Sequence, residues 1–84
     1  MKVKKNYNRT PIAVHNKKRM RQIGDFIKEF RRDMYSREEF AEINNIPKSV
    51  IERAENGENI TVHSVFRICD ALQISPEGLF FEVE

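Results

Sequence analysis

The sequence predicts a compact all-α domain of five helices that follows a basic N-terminal arm. Two short helices meet at an Asn-Asn-Ile-Pro corner within residues 37–56. Apolar residues recur at spacings of three and four along most of the chain, which is typical of amphipathic helices. Ser, Thr, Asn, Gly and Pro fall where these helices should begin and end. Eighty-four residues are enough for one domain. We assign residues 1–15 to the arm and residues 16–84 to the helical domain, because the helical pattern becomes clear only after the arm.

The first helix is predicted from about residue 17 to Arg32. Its apolar residues form one stripe, which consists of Met20, Ile23, Ile27, Phe30 and Met34. Most Lys and Arg residues of this region lie off the stripe, so one side of the helix should pack on the core while the other is basic. Thr10-Pro11 interrupts any helix in the arm, which the sequence leaves open as a flexible segment or a short strand.

The second helix is predicted to begin at a capping box formed by Ser36 and Glu39. Its inward-facing residues are expected to be Phe40, Ala41 and Ile43. Asn44-Asn45 should end it, because Asn tolerates the left-handed backbone conformation better than most residues. Ile46 is then expected to enter the core.

The third helix is predicted to begin at Pro47, since a residue without an N–H fits the first helical turn. A period of 3.6 residues divides this helix into two faces. The inward face carries Val50, Ile51 and Ala54. The outward face is polar and carries Lys48, Ser49, Glu52, Arg53 and Asn56.

Two further helices complete the predicted core. Gly57 stops the third helix, and Thr61 caps a fourth whose apolar residues are Val65, Phe66, Ile68, Cys69 and Leu72. Ser75-Pro76 opens a short fifth helix with Leu79 and Phe80.

Charge is distributed unevenly although the net charge is only +2. Residues 1–32 carry eleven Lys and Arg against Asp25 and Glu29, whereas residues 33–84 carry four against eleven acidic residues. A basic segment joined to an acidic remainder suggests that the first third meets a polyanion. A solvated basic tail without a partner is the alternative.

Several classes of function are disfavoured. No apolar run approaches the length of a membrane span, and the basic start lacks the apolar block of a signal peptide, so we expect a cytoplasmic protein. Cys69 is the single cysteine and lies in an apolar helical pattern, which predicts a core thiol. His15 and His63 lack partners at metal-ligand spacing. We find no phosphate loop and no nucleophile with a base, so we predict a non-enzyme without cofactor or metal.

The order of these segments resembles the lambda-repressor/Cro-like (Xre-type) helix-turn-helix family of bacterial and phage regulators. The resemblance covers roughly residues 23–80 and includes SREEFA, the corner from Ile46 to Ile51, ERAENG and VFRICDALQISPEGLF. Ala41 takes the place of the family's small residue, which lets the two motif helices approach closely. Asn45 and Gln73 stand where Gly is usual, and Pro47 stands where a Ser or Thr cap is common.

The resemblance implies that the third helix lies in the major groove of DNA. Lys48, Ser49, Glu52 and Arg53 would then face the base edges, with Arg53 suited to guanine and Glu52 to cytosine. Phosphate contacts are expected from Arg37, Asn56, Thr61, Lys17, Lys18 and Arg21. The family also implies a buried pair between Arg31 and Glu55 that ties the first helix to the third.

Members of this family commonly form dimers through their last helices, so Phe80, Phe81 and Val83 are the expected interface, while Leu79 is more simply a core residue. The implied function is that of a stand-alone regulator, like phage repressors or restriction-modification controller proteins. It would bind a palindromic operator as a homodimer. The alternative is a protein-interaction module, such as an antitoxin that binds a toxin or an adaptor, which the acidic residues around the motif favour.

Overall fold

The computed structural model of the protein describes residues 12–81 and Val83, with side chains from Asn16 onward. This part of the chain contains five helices and no strand, which confirms the predicted all-α architecture. The helices are α1 (Ile12–Arg32), α2 (Arg37–Ile43), α3 (Lys48–Glu55), α4 (Val62–Leu72) and α5 (Pro76–Phe81).

Helix α1 begins at Ile12, about five residues before its predicted start. Thr10-Pro11, predicted to interrupt a helix, directly precedes it in sequence. Residues 12–15, which the sequence assigns to the arm, therefore belong to the helix. The rest of the predicted arm, residues 1–11, lies outside the described residues, as do two of the last three residues.

The core lies between the five helices and includes the turn between α2 and α3. Its buried apolar residues are Ile23, Ile27, Phe40, Ala41, Ile46, Ile51, Ala54, Ile68, Cys69, Leu72 and Leu79. The sequence predicted each of these positions to be apolar and inward-facing, including the Cys69 thiol, whose pKa is raised by its burial.

Four residues predicted to face the core are instead exposed. Phe30 and Met34 are 41% and 43% exposed, because Arg31 takes the inward position one turn after Ile27. The ring of Phe30 stacks on Phe26, with centroids 4.6 Å apart. Ile43 is 59% exposed at the end of a seven-residue helix whose inward side is occupied by Phe40 and Ala41, and Phe66 is 49% exposed on α4.

The predicted capping box at the start of α2 is present. The backbone N–H of Glu39 donates to the Ser36 hydroxyl at 3.1 Å, and the N–H of Ser36 donates to the Glu39 carboxylate at 3.0 Å. Thr61 caps α4 by accepting the N–H of Ser64 at 3.0 Å, also as predicted. Pro47 lies one residue outside α3, because its ψ of 134° is extended and not helical.

Three helix ends use the left-handed conformation. Asn45 has a φ of 55° and Gln73 a φ of 60°, so both occupy the backbone conformation for which the family usually provides Gly. Gly57 has a φ of 78° and ends α3. The Asn45 conformation turns the chain directly from α2 toward α3.

Helix α1 crosses the C-terminal end of α3 at Gly24. A Cβ atom at Gly24 would lie 2.6 Å from the carbonyl oxygen of Ala54, so only glycine permits the backbones to approach this closely. Close by, a Cβ atom at Gly57 would lie 3.1 Å from the Cα of Arg21. This packing places Arg21, and with it the basic turns of α1, beside the loop that follows α3.

Candidate nucleic-acid interface

The α2-turn-α3 segment forms a helix-turn-helix unit. The N–H of Ile46 donates to the carbonyl of Ala41 at 3.0 Å, and the side-chain amide of Asn44 donates to the carbonyl of Phe40 at 2.9 Å. Arg67 of α4 donates to the carbonyl of Asn45. These bonds fix the conformation of the turn. The contact from Arg67 was not predicted from the sequence, because Arg67 lies 22 residues further along the chain.

The outer side of α3 carries the four residues predicted to face DNA bases. Lys48, Ser49 and Arg53 are exposed, and the Glu52 side chain is 40% exposed. Ile51 and Ala54 are buried on the opposite side of the helix. Periodicity therefore placed these four side chains on one accessible surface, although their contact with bases stays a prediction.

Two of the cations at this surface are paired with carboxylates. The Lys48 ammonium lies 3.2 Å from Glu38 on α2 and 3.8 Å from Glu52 one turn further along α3. Arg37 lies 3.9 Å from Glu52. None of the ion pairs in the part of the chain that the structure describes involves Arg53. Arg53 is thus the most available cation on the outer side of α3.

A buried carboxylate lies beneath this surface. Glu55 accepts two bonds from Arg31, from Nε and Nη2, both at 2.8 Å, which confirms the predicted pair. Arg37 adds bonds to Glu55 at 3.1 and 3.3 Å. Burial alone would raise the pKa of Glu55, but the bonds from Arg31 and then Arg37 outweigh it and lower that pKa. The bond to Glu55 also raises the pKa of Arg31.

The predicted phosphate-binding residues fall into two groups. Arg37 is half-buried and turned toward Glu55, an orientation that sequence alone did not indicate. Lys17, Lys18, Arg21, Asn56 and Thr61 are exposed. The Thr61 hydroxyl is already used to cap α4. Because Arg21 packs beside Gly57, the structure brings the basic turns of α1 close to the predicted contacts in the loop after α3.

The residues predicted to form a dimer interface differ in exposure. Phe80 and Phe81 on α5 are 50% and 86% exposed. Val83 is half-buried and packs against the core, so it offers less free surface than expected. Leu79 is fully buried, which confirms the prediction that it is a core residue.

The pairing of Glu55 with two arginines makes stability depend on pH. The contribution of this pairing to the free energy of unfolding is complete above the pKa that Glu55 has in the unfolded chain, about 4.3. It is lost as pH falls through the lower pKa that Glu55 has in the folded protein. We expect Glu55→Gln to lower the free energy of unfolding at neutral pH by about 3 to 5 kcal/mol, because it leaves Arg31 buried without a counter-charge. The gap to wild type should shrink on acidification.

Urea unfolding at neutral pH and at a series of acidic pH values measures this gap. Glu42→Gln is the control, because Glu42 is an exposed carboxylate on α2 with no ion pair among the described residues. That variant should match wild type at neutral pH. A gap for Glu55→Gln that stays constant down to the lowest pH would show that ionised Glu55 does not stabilise the fold.

The described helices include none that is both long and apolar enough to cross a membrane. The family model for helix-turn-helix proteins matches residues 27–79, which is more than half of the chain and spans the last turns of α1 through most of α5. No curated protein and no solved structure matches the chain significantly. The matched region contains the α2-turn-α3 unit, its polar outer surface and the buried pair beneath it, and the chain belongs to the helix-turn-helix family of DNA-binding regulators of the Xre and lambda-repressor type.

Proposed function

We propose that the protein is a sequence-specific transcriptional regulator that binds a palindromic operator as a homodimer. The observation that carries this proposal is the outer side of α3, where four polar side chains are accessible on a helix held firmly by the core. An α-helix with such a surface fits the major groove, where each base pair presents a distinct pattern of donors and acceptors.

Arg53 is the residue best suited to reading a base. It is exposed and free of ion pairs within the described residues, so its guanidinium can give two donors to guanine O6 and N7 without first breaking a contact. Ser49 is exposed and reaches a shorter distance into the groove. Glu52 would have to exchange its contact with Lys48 for a cytosine amino group, and Lys48 would exchange it for guanine or a phosphate.

Phosphate contacts come from both sides of α3 in this proposal. Lys17, Lys18 and Arg21 on α1 supply positive charge beside the loop after α3, where Asn56 and Thr61 supply polar groups. Arg37 at the N-terminus of α2 supplies a further cation, because about a third of its side chain remains exposed. Such contacts contribute affinity and register but carry no sequence information.

Dimerisation follows from the small size of the recognition surface. One copy makes few base contacts, whereas two copies on half-sites about 34 Å apart multiply the discrimination. Phe80 and Phe81 are exposed aromatic residues on the last helix, and a two-fold axis there would bury the same patch from each copy. In this proposal the regulator is of the stand-alone phage-repressor or controller type and works in the bacterial cytoplasm.

The second candidate function is a protein-interaction module, such as an antitoxin or adaptor. It is favoured by the exposed carboxylates of α2, the first helix of the motif, which include Glu38 and Glu42. Binding to random-sequence duplexes at low salt distinguishes the two. The affinity of a DNA-binding protein falls as salt is added, and log affinity against log salt has a slope of about −0.9 per phosphate neutralised. A module specific for a protein partner does not bind the duplexes at all.

Replacement of Arg53 should separate base contacts from phosphate contacts. We expect Arg53→Ala to cost about 1 to 3 kcal/mol on the preferred site, to relax base preference at one position, and to leave random duplexes nearly unaffected. Arg37→Ala is the comparison and should weaken preferred and random duplexes alike. Fluorescence anisotropy with both duplexes measures the losses. Equal losses on both duplexes for Arg53→Ala would show that Arg53 does not read a base.

Replacement of Phe81 should weaken the proposed dimer. Phe81→Ser should raise the dimer dissociation constant about tenfold or more, since both copies lose an aromatic contact. The control is Val62→Ser, which removes an apolar side chain that is 66% exposed on α4 and outside the proposed interface. Sedimentation equilibrium measures the association. Equal dissociation constants for wild type and Phe81→Ser would rule out this interface.

A further inference from the structure

Six charged side chains of alternating sign connect the buried core of the motif to its outer surface. Glu55 lies 2.8 Å from Arg31 and 3.1 Å from Arg37, and Arg37 lies 3.9 Å from Glu52. Lys48 then lies 3.8 Å from Glu52 and 3.2 Å from Glu38. The order along this chain of charges is Arg31, Glu55, Arg37, Glu52, Lys48 and Glu38.

The two ends of this chain of charges differ in their surroundings. The Arg31 and Glu55 side chains are 7% and 1% exposed, so their pair is fixed by the core. The Lys48 and Glu38 side chains are 47% and 70% exposed, so their pair can exchange with other ligands. Exchange with an incoming ligand is therefore easiest at the outer end.

Glu38 is well placed to compete for Lys48. It lies in the first turn of α2, where the helix dipole favours a negative charge. Its own backbone N–H and the Lys48 ammonium both lower the pKa of its carboxyl group, so the group is ionised at neutral pH. While Glu38 holds Lys48, the Lys48 ammonium does not neutralise a phosphate. A phosphate that displaced Glu38 would leave its carboxylate unpaired beside a polyanion, so the Glu38 contact opposes the contact with DNA.

We propose that Glu38 is an intramolecular competitor of DNA: it holds Lys48 in the unbound protein and thereby weakens binding to duplexes in general. This inference rests on the proposed DNA-binding function and identifies a residue that weakens the binding of DNA. Glu52 is the weaker competitor for Lys48, because it is also contacted by Arg37 and lies further from the Lys48 ammonium.

The test uses a mixed-sequence duplex, since Glu38 is proposed to act on every sequence. We expect Glu38→Gln to tighten binding about two- to fivefold at low salt, the range expected for loss of one exposed ion pair. The log-log salt slope should steepen by about 0.9, because Lys48 becomes free to neutralise one more phosphate. Fluorescence anisotropy over a series of salt concentrations measures both quantities.

Two controls isolate the contact with Lys48 from the change in net charge. Glu42→Gln removes the same charge from an exposed position one turn along α2, where no ion pair occurs among the described residues. It should tighten binding less and leave the slope unchanged. In a Lys48→Met background, Glu38→Gln should have no larger effect than Glu42→Gln, because the side chain that Glu38 restrains is gone.

The outcomes separate this inference from the function on which it rests. If wild type binds the duplex but Glu38→Gln and Glu42→Gln behave alike, or if the Glu38 effect persists without Lys48, the competition is overturned while DNA binding stands. If neither wild type nor any variant binds duplexes at low salt, the proposed function fails and the competition fails with it. Because Glu38 is exposed, its replacement should lower thermal stability only slightly, through loss of the helix-dipole interaction and the ion pair. Circular dichroism verifies that the variant is folded at the temperature of the binding measurement.

Discussion

The buried carboxylate of Glu55 is the interaction on which the geometry of the motif depends. It belongs to α3, accepts two bonds from Arg31 of α1 and two from Arg37 of α2, and so joins three helices at one point. Glycine at position 24 brings α1 close enough to α3 for the Arg31 contact to form within the core. An ionised group in this setting is stable only while its partners are in place, which makes the relative position of the three helices specific.

The same pairing of charges determines which cations remain for DNA. Arg37 is held by Glu55 and Lys48 by Glu38, so Arg53 is the exposed cation on the outer side of α3 that forms no ion pair among the described residues. The basic turns of α1 add positive charge beside the loop that follows α3. Affinity and selectivity are then divided between elements: α1 would attract the phosphate backbone, and the outer side of α3 would choose the sequence. A moderate net charge of +2 is compatible with this division because eleven of the fifteen Lys and Arg residues fall within the first 32 residues of the sequence.

Helix ends, turns and buried positions were predictable because they depend on residues that are close in the sequence. The angles between helices were not predictable in this way. The Ser36 capping box, the left-handed Asn45 and the buried apolar residues of α3 and α4 depend on neighbouring residues, and each was predicted. The pair between Glu38 and Lys48 spans the turn and depends on how α2 and α3 are inclined. Phe30 and Ile43 were expected in the core because helical periodicity does not show which residues of a broad apolar side the neighbouring helices cover.

Selection of bound duplexes from a random-sequence pool is the decisive test of the proposed DNA recognition, because one experiment reports sequence specificity, dimerisation and half-site spacing together. We expect enrichment of a palindrome whose half-sites are centred one helical turn of DNA, about 34 Å, apart. Arg53→Ala should then relax the base preference at one position in each half-site. A pool that remains random after repeated selection, or that yields only a single site without symmetry, would contradict the proposed recognition.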